Sequence, residues 1–297
     1  MTTPWPEHVR IREVGPRDGL QHEPGFVPTT VKLEWIDRLA DAGLTYIEVT
    51  SFVSPKWIPP LADAEEVAAG LRRREGVTYA ALVPNMRGLE RALRGQIDEA
   101  AVFMSASETH NRKNINKSID ETLPVLREVT GAAKAAGKTV RGYLSTVFGC
   151  PYEGAVSVER VLRLTEELLE MGVDEVSLGD TIGVGNPRQV EQVLSELLRR
   201  VPPDRIALHF HNTNGLALAN TVIALQMGIR AFDASCGGLG GCPYAPGAAG
   251  NVATGDLIRM LHAMDVRTGV DMAKLSEASA FILQALSKNE DVFGGNG

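Results

Sequence analysis

The chain has 297 residues, 44% of them hydrophobic and 5% aromatic, which is enough apolar material for a sizeable core. Its net charge of −7 and the lack of a long basic run argue against a nucleic-acid partner. No apolar stretch approaches the roughly 20 residues of a membrane span, so no membrane association is expected either. Residues 1–8 have neither an apolar core nor an Arg-rich amphipathic pattern, so a leader is not expected, and Gly-Gly-Asn-Gly at the end is not a peroxisomal signal. Three cysteines, Cys150, Cys236 and Cys242, are too few for a disulfide framework and fit a reducing cytoplasm.

Strand-like runs fall at 9–14, 46–49, 78–83, 100–104, 140–145, 175–178, 206–210 and 231–235. Amphipathic, helix-like stretches alternate with them at about 30–42, 62–74, 86–95, 118–136, 157–171, 187–200, 215–227 and 251–264. Eight strand–helix units in fewer than 300 residues predict an α/β fold, a (β/α)8 TIM barrel, as one catalytic domain over 1–297. A doubly wound open sheet is the alternative. It usually places a Gly-rich phosphate turn after its first strand, and Gly15-Pro16-Arg17-Asp18-Gly19 lacks the G-x-G-x-x-G form. The tail, about 271–288, has helical periodicity in Met272, Leu275, Ala278, Phe281, Ile282 and Leu286, and is expected to pack outside the barrel or cover one end.

In such a barrel the chemistry sits where the strands end. Polar and ionisable residues gather at those ends: Arg17 and Asp18 after the first, Glu48 on the second, Asp180 after the sixth, His209 and His211 on the seventh, and Cys242 and Asn251 beyond the eighth. Alternate side chains of a strand share a face, so His209 and His211 point the same way. Taken alone, a His-x-His pair can equally be two polar residues at a strand end. Closing the barrel brings the first strand beside the eighth, with the seventh next to it, and puts Asp18, His209, His211 and Asn251 within reach of one point. Two imidazoles, a carboxylate and an amide oxygen form a mixed shell that suits octahedral Mg²⁺ or Mn²⁺ better than zinc. The open positions imply a chelating substrate and Lewis-acid chemistry. Asp18 can alternatively be a turn residue before Gly19, and Asn251 a helix N-cap. A zinc site from Cys236 and Cys242 has the wrong spacing and no further cysteine nearby.

The blocks REVGPRDGLQ (12–21), YIEVTSFVSPKWIP (46–59), VSLGDTIGVG (176–185), HFHNTNG (209–215) and CGGLGGCPYAPGAAGN (236–251) resemble 3-hydroxy-3-methylglutaryl-CoA lyases, metal-dependent enzymes of the TIM-barrel lyase and synthase superfamily. The resemblance covers nearly the whole chain, and its Cys-bearing Gly-rich loop is the most specific part. The His-x-His element is shared with homocitrate- and isopropylmalate-synthase relatives. The resemblance implies cleavage of the acyl-CoA substrate to acetyl-CoA and acetoacetate. It makes Asp18, His209, His211 and Asn251 the metal ligands, Arg17 the catalytic arginine, Glu48 and Asp180 active-site carboxylates and Cys242 the catalytic thiol. A homodimer is implied on the same ground. One departure is Lys117, where some members of the family have a cysteine.

The reaction so implied requires loss of the 3-hydroxyl proton, a stabilised thioester enolate and its protonation. His209, Glu48 and Asp180 are all placed for part of the proton transfer, and the base stays open because a metal-bound imidazole cannot freely act as one. Arg17 suits the developing negative charge. Cys242 suits protonation of the enolate carbon, since a thiol is a workable acid near neutral pH; by itself it also reads as a small buried residue in a Gly-rich turn. Glu48 can instead simply neutralise Arg17. Lys56, Arg112, Lys113 and Lys117 are candidates for the CoA phosphates. Three functions stay open: this lyase, a lyase or condensing synthase acting on a related acyl group, and a non-catalytic barrel that binds metal or acyl-CoA.

Overall fold

The computed structural model describes residues 5–241 and 250–293, with side chains described as far as 287. Eight parallel strands close into a barrel in chain order: β1 (Arg10–Glu13), β2 (Tyr46–Ser51), β3 (Thr78–Leu82), β4 (Glu99–Ser105), β5 (Thr139–Ser145), β6 (Glu175–Asp180), β7 (Ile206–Phe210) and β8 (Ala231–Ala234). The expected barrel is therefore the observed one, and the open sheet is excluded because β1 pairs with β8, Arg12 opposite Asp233 and Glu13 opposite Ala234. Parallel neighbours need long crossovers, and these are mostly helical. They comprise α1 (Thr29–Asp41), α2 (Ala64–Gly70), α3 (Met86–Arg94), α4 (Glu108–Ile115), α5 (Ile119–Ala135), α6 (Val158–Glu170), α7 (Pro187–Leu197) and α8 (Ala217–Gln226). After β8 come α9 (Thr254–Ala263) and α10 (Met272–Phe293).

Several helix starts are written in the sequence. Ser118 with Glu121, and Asn186 with Gln189, form reciprocal capping boxes, the second with Pro187 in the first turn. Two expectations differ from the structure. The amphipathic stretch 62–74 yields a helix only to Gly70, because Leu71 is extended at ψ 129°. Between the predicted strand at 100–104 and the predicted helix at 118–136 the structure holds a further helix, α4, capped by Ser107 and ended by Asn116 in the left-handed region at φ 56°. Its sequence, ETHNRKNI, has no apolar periodicity, so only the caps announced it.

The apolar core lies between strands and helices, with Val49, Val102, Leu144, Leu178, Leu208 and Phe232 among its wholly buried strand residues. The helix α10 runs along α1 and α9 on the outside and reaches the turn after β8, so the tail does pack outside the barrel. The barrel interior is instead crossed by charge. Arg141 of β5 pairs with Asp233 of β8 and with Glu175 of β6, and Arg12 of β1 reaches the same Glu175 at 3.0 Å. Neither β5 and β8 nor β1 and β6 are neighbours in the sheet, so these bonds must span the interior.

Glu13 ties the barrel seam together. It is wholly buried and accepts from Gly15 N (2.8 Å), Cys236 N (2.8 Å) and Thr254 Oγ1 (2.7 Å), linking the end of β1 to the segment after β8 and the start of α9. Glu13→Ala strands three donors and should cost about 3 kcal/mol of stability, read by urea denaturation. Burial pushes the Glu13 carboxyl up to about 7, despite the hydrogen bonds that oppose it. A carboxyl raised in the folded state binds more protons there than in the unfolded chain, so its contribution is complete below the usual 4.5 and declines as pH rises through about 7. Glu13→Ala should remove that part of the pH dependence.

Candidate active site and metal centre

The chain leaves β1 through a single π-turn, Gly15–Gly19, in which Gly19 N donates to Val14 O at 3.4 Å. Such widened turns are frequent at functional sites, and this one buries both Arg17 and Asp18 at the barrel mouth. Across the seam, the end of β7 carries His209 and His211 on one face, with ring centroids 5.2 Å apart. His211 forms an antiparallel bridge with Asn251, supported by Asn212 N to Gly250 O (2.6 Å) and Val252 N to Phe210 O (3.1 Å). Gly240 closes over this bridge at φ +100°, where a Cβ would come within 2.5 Å of Asn251 Nδ2, so glycine is required on both counts.

Each of Asp18, His209 and His211 offers a ligand atom within 4.8 Å of the others. Two metal–ligand bonds of about 2–2.6 Å laid end to end span that separation. Asn251 joins them, its Nδ2 2.8 Å from Asp18 Oδ2. All four residues expected at the metal are thus gathered at one place. The N-cap alternative for Asn251 fails, since α9 begins at Thr254 with Ala253 at its cap. The donor set also fits a divalent cation. Asn251 Oδ1 and His211 Nδ1 are buried with no hydrogen-bond partner among the described residues, and Asn251 Oδ1 is an acceptor left without a donor.

Electrostatics prepares the same residues. Burial alone would raise the Asp18 carboxyl, but Arg17 and then His209 outweigh it and hold it well below the usual range, ionised. Burial, reinforced by the neighbouring His209, pushes His211 down to about 3, so it stays a neutral donor. Burial also works against a charged His209, but its hydrogen bond to Asp233 and the charges of Asp233 and Asp18 carry it upward.

Arg17 lies between two carboxylates. Its Nε donates to Glu48 Oε2 at 2.7 Å, and its Nη1 to Asp18 Oδ1. The pairing reading of Glu48 is therefore observed. Glu48 Oε2 also accepts from the Tyr143 hydroxyl at 2.9 Å, and burial raises the carboxyl even though Arg17 and Tyr143 oppose the shift. Asp180 stands apart from these contacts. It accepts from Val184 N and Gly185 N in the turn after β6, and burial lifts it to about 6. Cys242 lies outside the described residues. Cys236 is buried, which pushes its thiol up and disfavours the thiolate that zinc needs. Of the basic residues considered for CoA, Arg112 pairs with Glu108 at 2.9 Å, Lys113 sits over the Tyr152 ring, and Lys117 contributes its carbonyl to Asn111.

Three residues in the site's network escaped the sequence reading: Tyr143, Arg141 and Asp233. Each lies within a run taken as a buried strand, and each is itself buried. The signal was present as ionisable residues inside otherwise apolar strands, Val140-Arg141-Gly142-Tyr143 and Ala231-Phe232-Asp233-Ala234.

The HMGL-like family model matches residues 8–282. The chain is 61% identical over 285 residues to hydroxymethylglutaryl-CoA lyase YngG of Bacillus subtilis, covering 96% of this chain and 95% of that protein. A crystal structure of the B. subtilis HMG-CoA lyase superposes with a TM-score of 0.95 at 59% identity, covering 99% of this chain and all of that one (100%). An HMG-CoA lyase from Acinetobacter baumannii, solved in complex with coenzyme A and 3-methylmalate, superposes with a TM-score of 0.91 at 40% identity, covering 96% of this chain and 93% of that one.

Proposed function

The chain belongs to the HMGL-like family, and from that membership and the geometry of the barrel mouth we infer that it is a lyase cleaving 3-hydroxy-3-methylglutaryl-CoA to acetyl-CoA and acetoacetate. The observation that carries this reading is the cluster of Asp18, His209 and His211, with ligand atoms within 4.8 Å, beside the buried Arg17 in a chain so similar to a known lyase. Asp18, His209, His211 and Asn251 would hold the cation, Mg²⁺ or Mn²⁺, as their mixed nitrogen and oxygen donors suit. When bound, the ion supplies Lewis-acid polarisation of the substrate's oxygens.

Arg17 takes the developing negative charge: its neighbours Glu48 and Asp18 keep it charged in spite of burial, and its guanidinium offers several donors. Glu48 neutralises Arg17 in the resting site, and its raised affinity for a proton suits it to accept one as the hydroxyl becomes a ketone. Asp180, lifted to about 6, is suited to proton transfer near neutral pH, although the turn amides occupy its oxygens. His209 acts in this reading as a ligand first. Cys242 protonates the enolate carbon. Cys242→Ala should leave Mn²⁺ affinity unchanged and depress kcat by about 10²-fold or more; wild-type turnover would remove the thiol from the mechanism.

The purified protein, incubated with 3-hydroxy-3-methylglutaryl-CoA and Mg²⁺, should release acetoacetate, and a chelator should stop it. No acetoacetate would overturn the reading, and turnover indifferent to the chelator would overturn its metal part. The enzyme is read as a cytoplasmic homodimer. The free thiols of Cys150 and Cys236 accord with a reducing compartment, and among the described residues no helix is long and apolar enough to cross a membrane.

A further inference from the structure

The residues around the cation site form a nearly closed ring of polar contacts. Asp18 bonds Arg17, Arg17 bonds Glu48 at 2.7 Å, and Glu48 accepts from Tyr143 at 2.9 Å. The Tyr143 oxygen accepts from Arg141 at 2.9 Å, and Arg141 holds Asp233 through both terminal nitrogens, at 2.5 and 3.2 Å. Asp233 Oδ2 meets His209 Nδ1 at 3.1 Å. The one gap lies between His209 Nε2 and Asp18 Oδ2, 3.9 Å apart, where the cation would sit. The ring draws on the turn after β1 and on β2, β5, β7 and β8, so the contacts around the cation also brace the barrel from within.

Asp233 is the member of this ring in direct contact with His209 on the side away from Asp18. It is 2% exposed and lies opposite His209 in the pairing of β7 with β8. Its carboxylate is fully engaged: besides Arg141 it accepts from Ser177 Oγ at 2.9 Å. A carboxylate so held is an acceptor only, so the imidazole nitrogen facing it must be the one that carries hydrogen. The other nitrogen, Nε2, faces Asp18 and is the one whose lone pair is free in the neutral imidazole. We propose that Asp233 is a positioning residue, fixing His209 with its hydrogen on Nδ1 and its Nε2 lone pair turned to the cation, with Arg141 and Ser177 holding Asp233 in turn. The proposal rests on the metal reading above, and its test separates the two.

Mn²⁺ titration of wild type and Asp233→Asn is the first measurement. The asparagine keeps the shape but can turn its amide to His209, so affinity should fall about 10–100-fold, the usual cost of losing such a partner. A purely structural role would lower the unfolding temperature and leave Mn²⁺ affinity alone; equal affinities in the two proteins would overturn the proposal. The second measurement is ¹⁵N NMR of histidine-labelled, metal-free wild type, with the His209 signals identified by their loss in His209→Gln. A hydrogen on Nδ1 is expected, and one on Nε2 alone would overturn the proposal even if Asp233→Asn does not fold. Wild type that binds no Mn²⁺ would sink the metal reading itself, and the NMR result would still decide whether Asp233 sets the tautomer.

Discussion

Asp18→Ala should weaken Mn²⁺ binding by more than about 100-fold, beyond the 10–100-fold that loss of a supporting partner costs, because a ligand itself is removed. Asp18 is the single carboxylate among the four residues, and Arg17 and His209 keep it ionised against the pull of burial. Its loss also removes one of the two acceptors of Asn251 Nδ2, leaving the Leu239 carbonyl at 3.2 Å to hold the amide opposite. Turnover at saturating metal should recover only in part. The affinity should also depend on pH in a definite direction. His209 must give up its extra proton to bind the ion, and the carboxylates beside it raise its pKa, so Mn²⁺ affinity should weaken as pH falls through the His209 pKa. His211, held down to about 3, adds nothing to that dependence in the working range. An Mn²⁺ titration curve for Asp18→Ala that overlays the wild type would remove Asp18 from the shell.

Arg17→Met should separate chemistry from metal binding. Removing the donor that faces developing negative charge costs about 10²–10³ in kcat. Mn²⁺ affinity should hold or tighten, since Asp18 loses the cation that competes for it. A second effect follows from burial. Glu48 is 0% exposed, and with Arg17 gone the Tyr143 hydroxyl is the one hydrogen-bond donor left to its charge among the described residues. Breaking a buried pair from one side costs about 3–5 kcal/mol, so a lower melting temperature should accompany the loss of turnover. Arg17→Lys tests the division: it restores charge to Glu48 and much of the stability, but a single ammonium cannot reproduce the fork shared by Glu48 and Asp18. Wild-type kcat in a folded, metal-binding Arg17→Met would rule the guanidinium out of the mechanism.

Much of this molecule was readable from local pattern. Hydrophobic periodicity distinguishes strand from helix over short windows, so the eight units and their order were visible, as was the shared face of His209 and His211. The barrel architecture then put the ends of β1, β7 and the post-β8 segment side by side, and the four metal-capable residues came with them. The α4 helix was not visible in the same way, because a polar helix leaves no apolar stripe; Ser107 and Asn116 were its only marks.

The barrel interior was decided by tertiary structure alone. Arg141 and Asp233 are 92 positions apart and meet across non-adjacent strands, as do Tyr143 and Glu48 at a separation of 95. No window of sequence contains such a pair, and a charge inside an apolar strand is costly until its partner arrives from elsewhere. The residue types and their alternation were therefore set by the chain itself. Which nitrogen of His209 faces Asp233 and which faces Asp18, and what holds Arg17 charged in a buried site, came only from closing the barrel, because closure alone brings distant buried charges within hydrogen-bonding range.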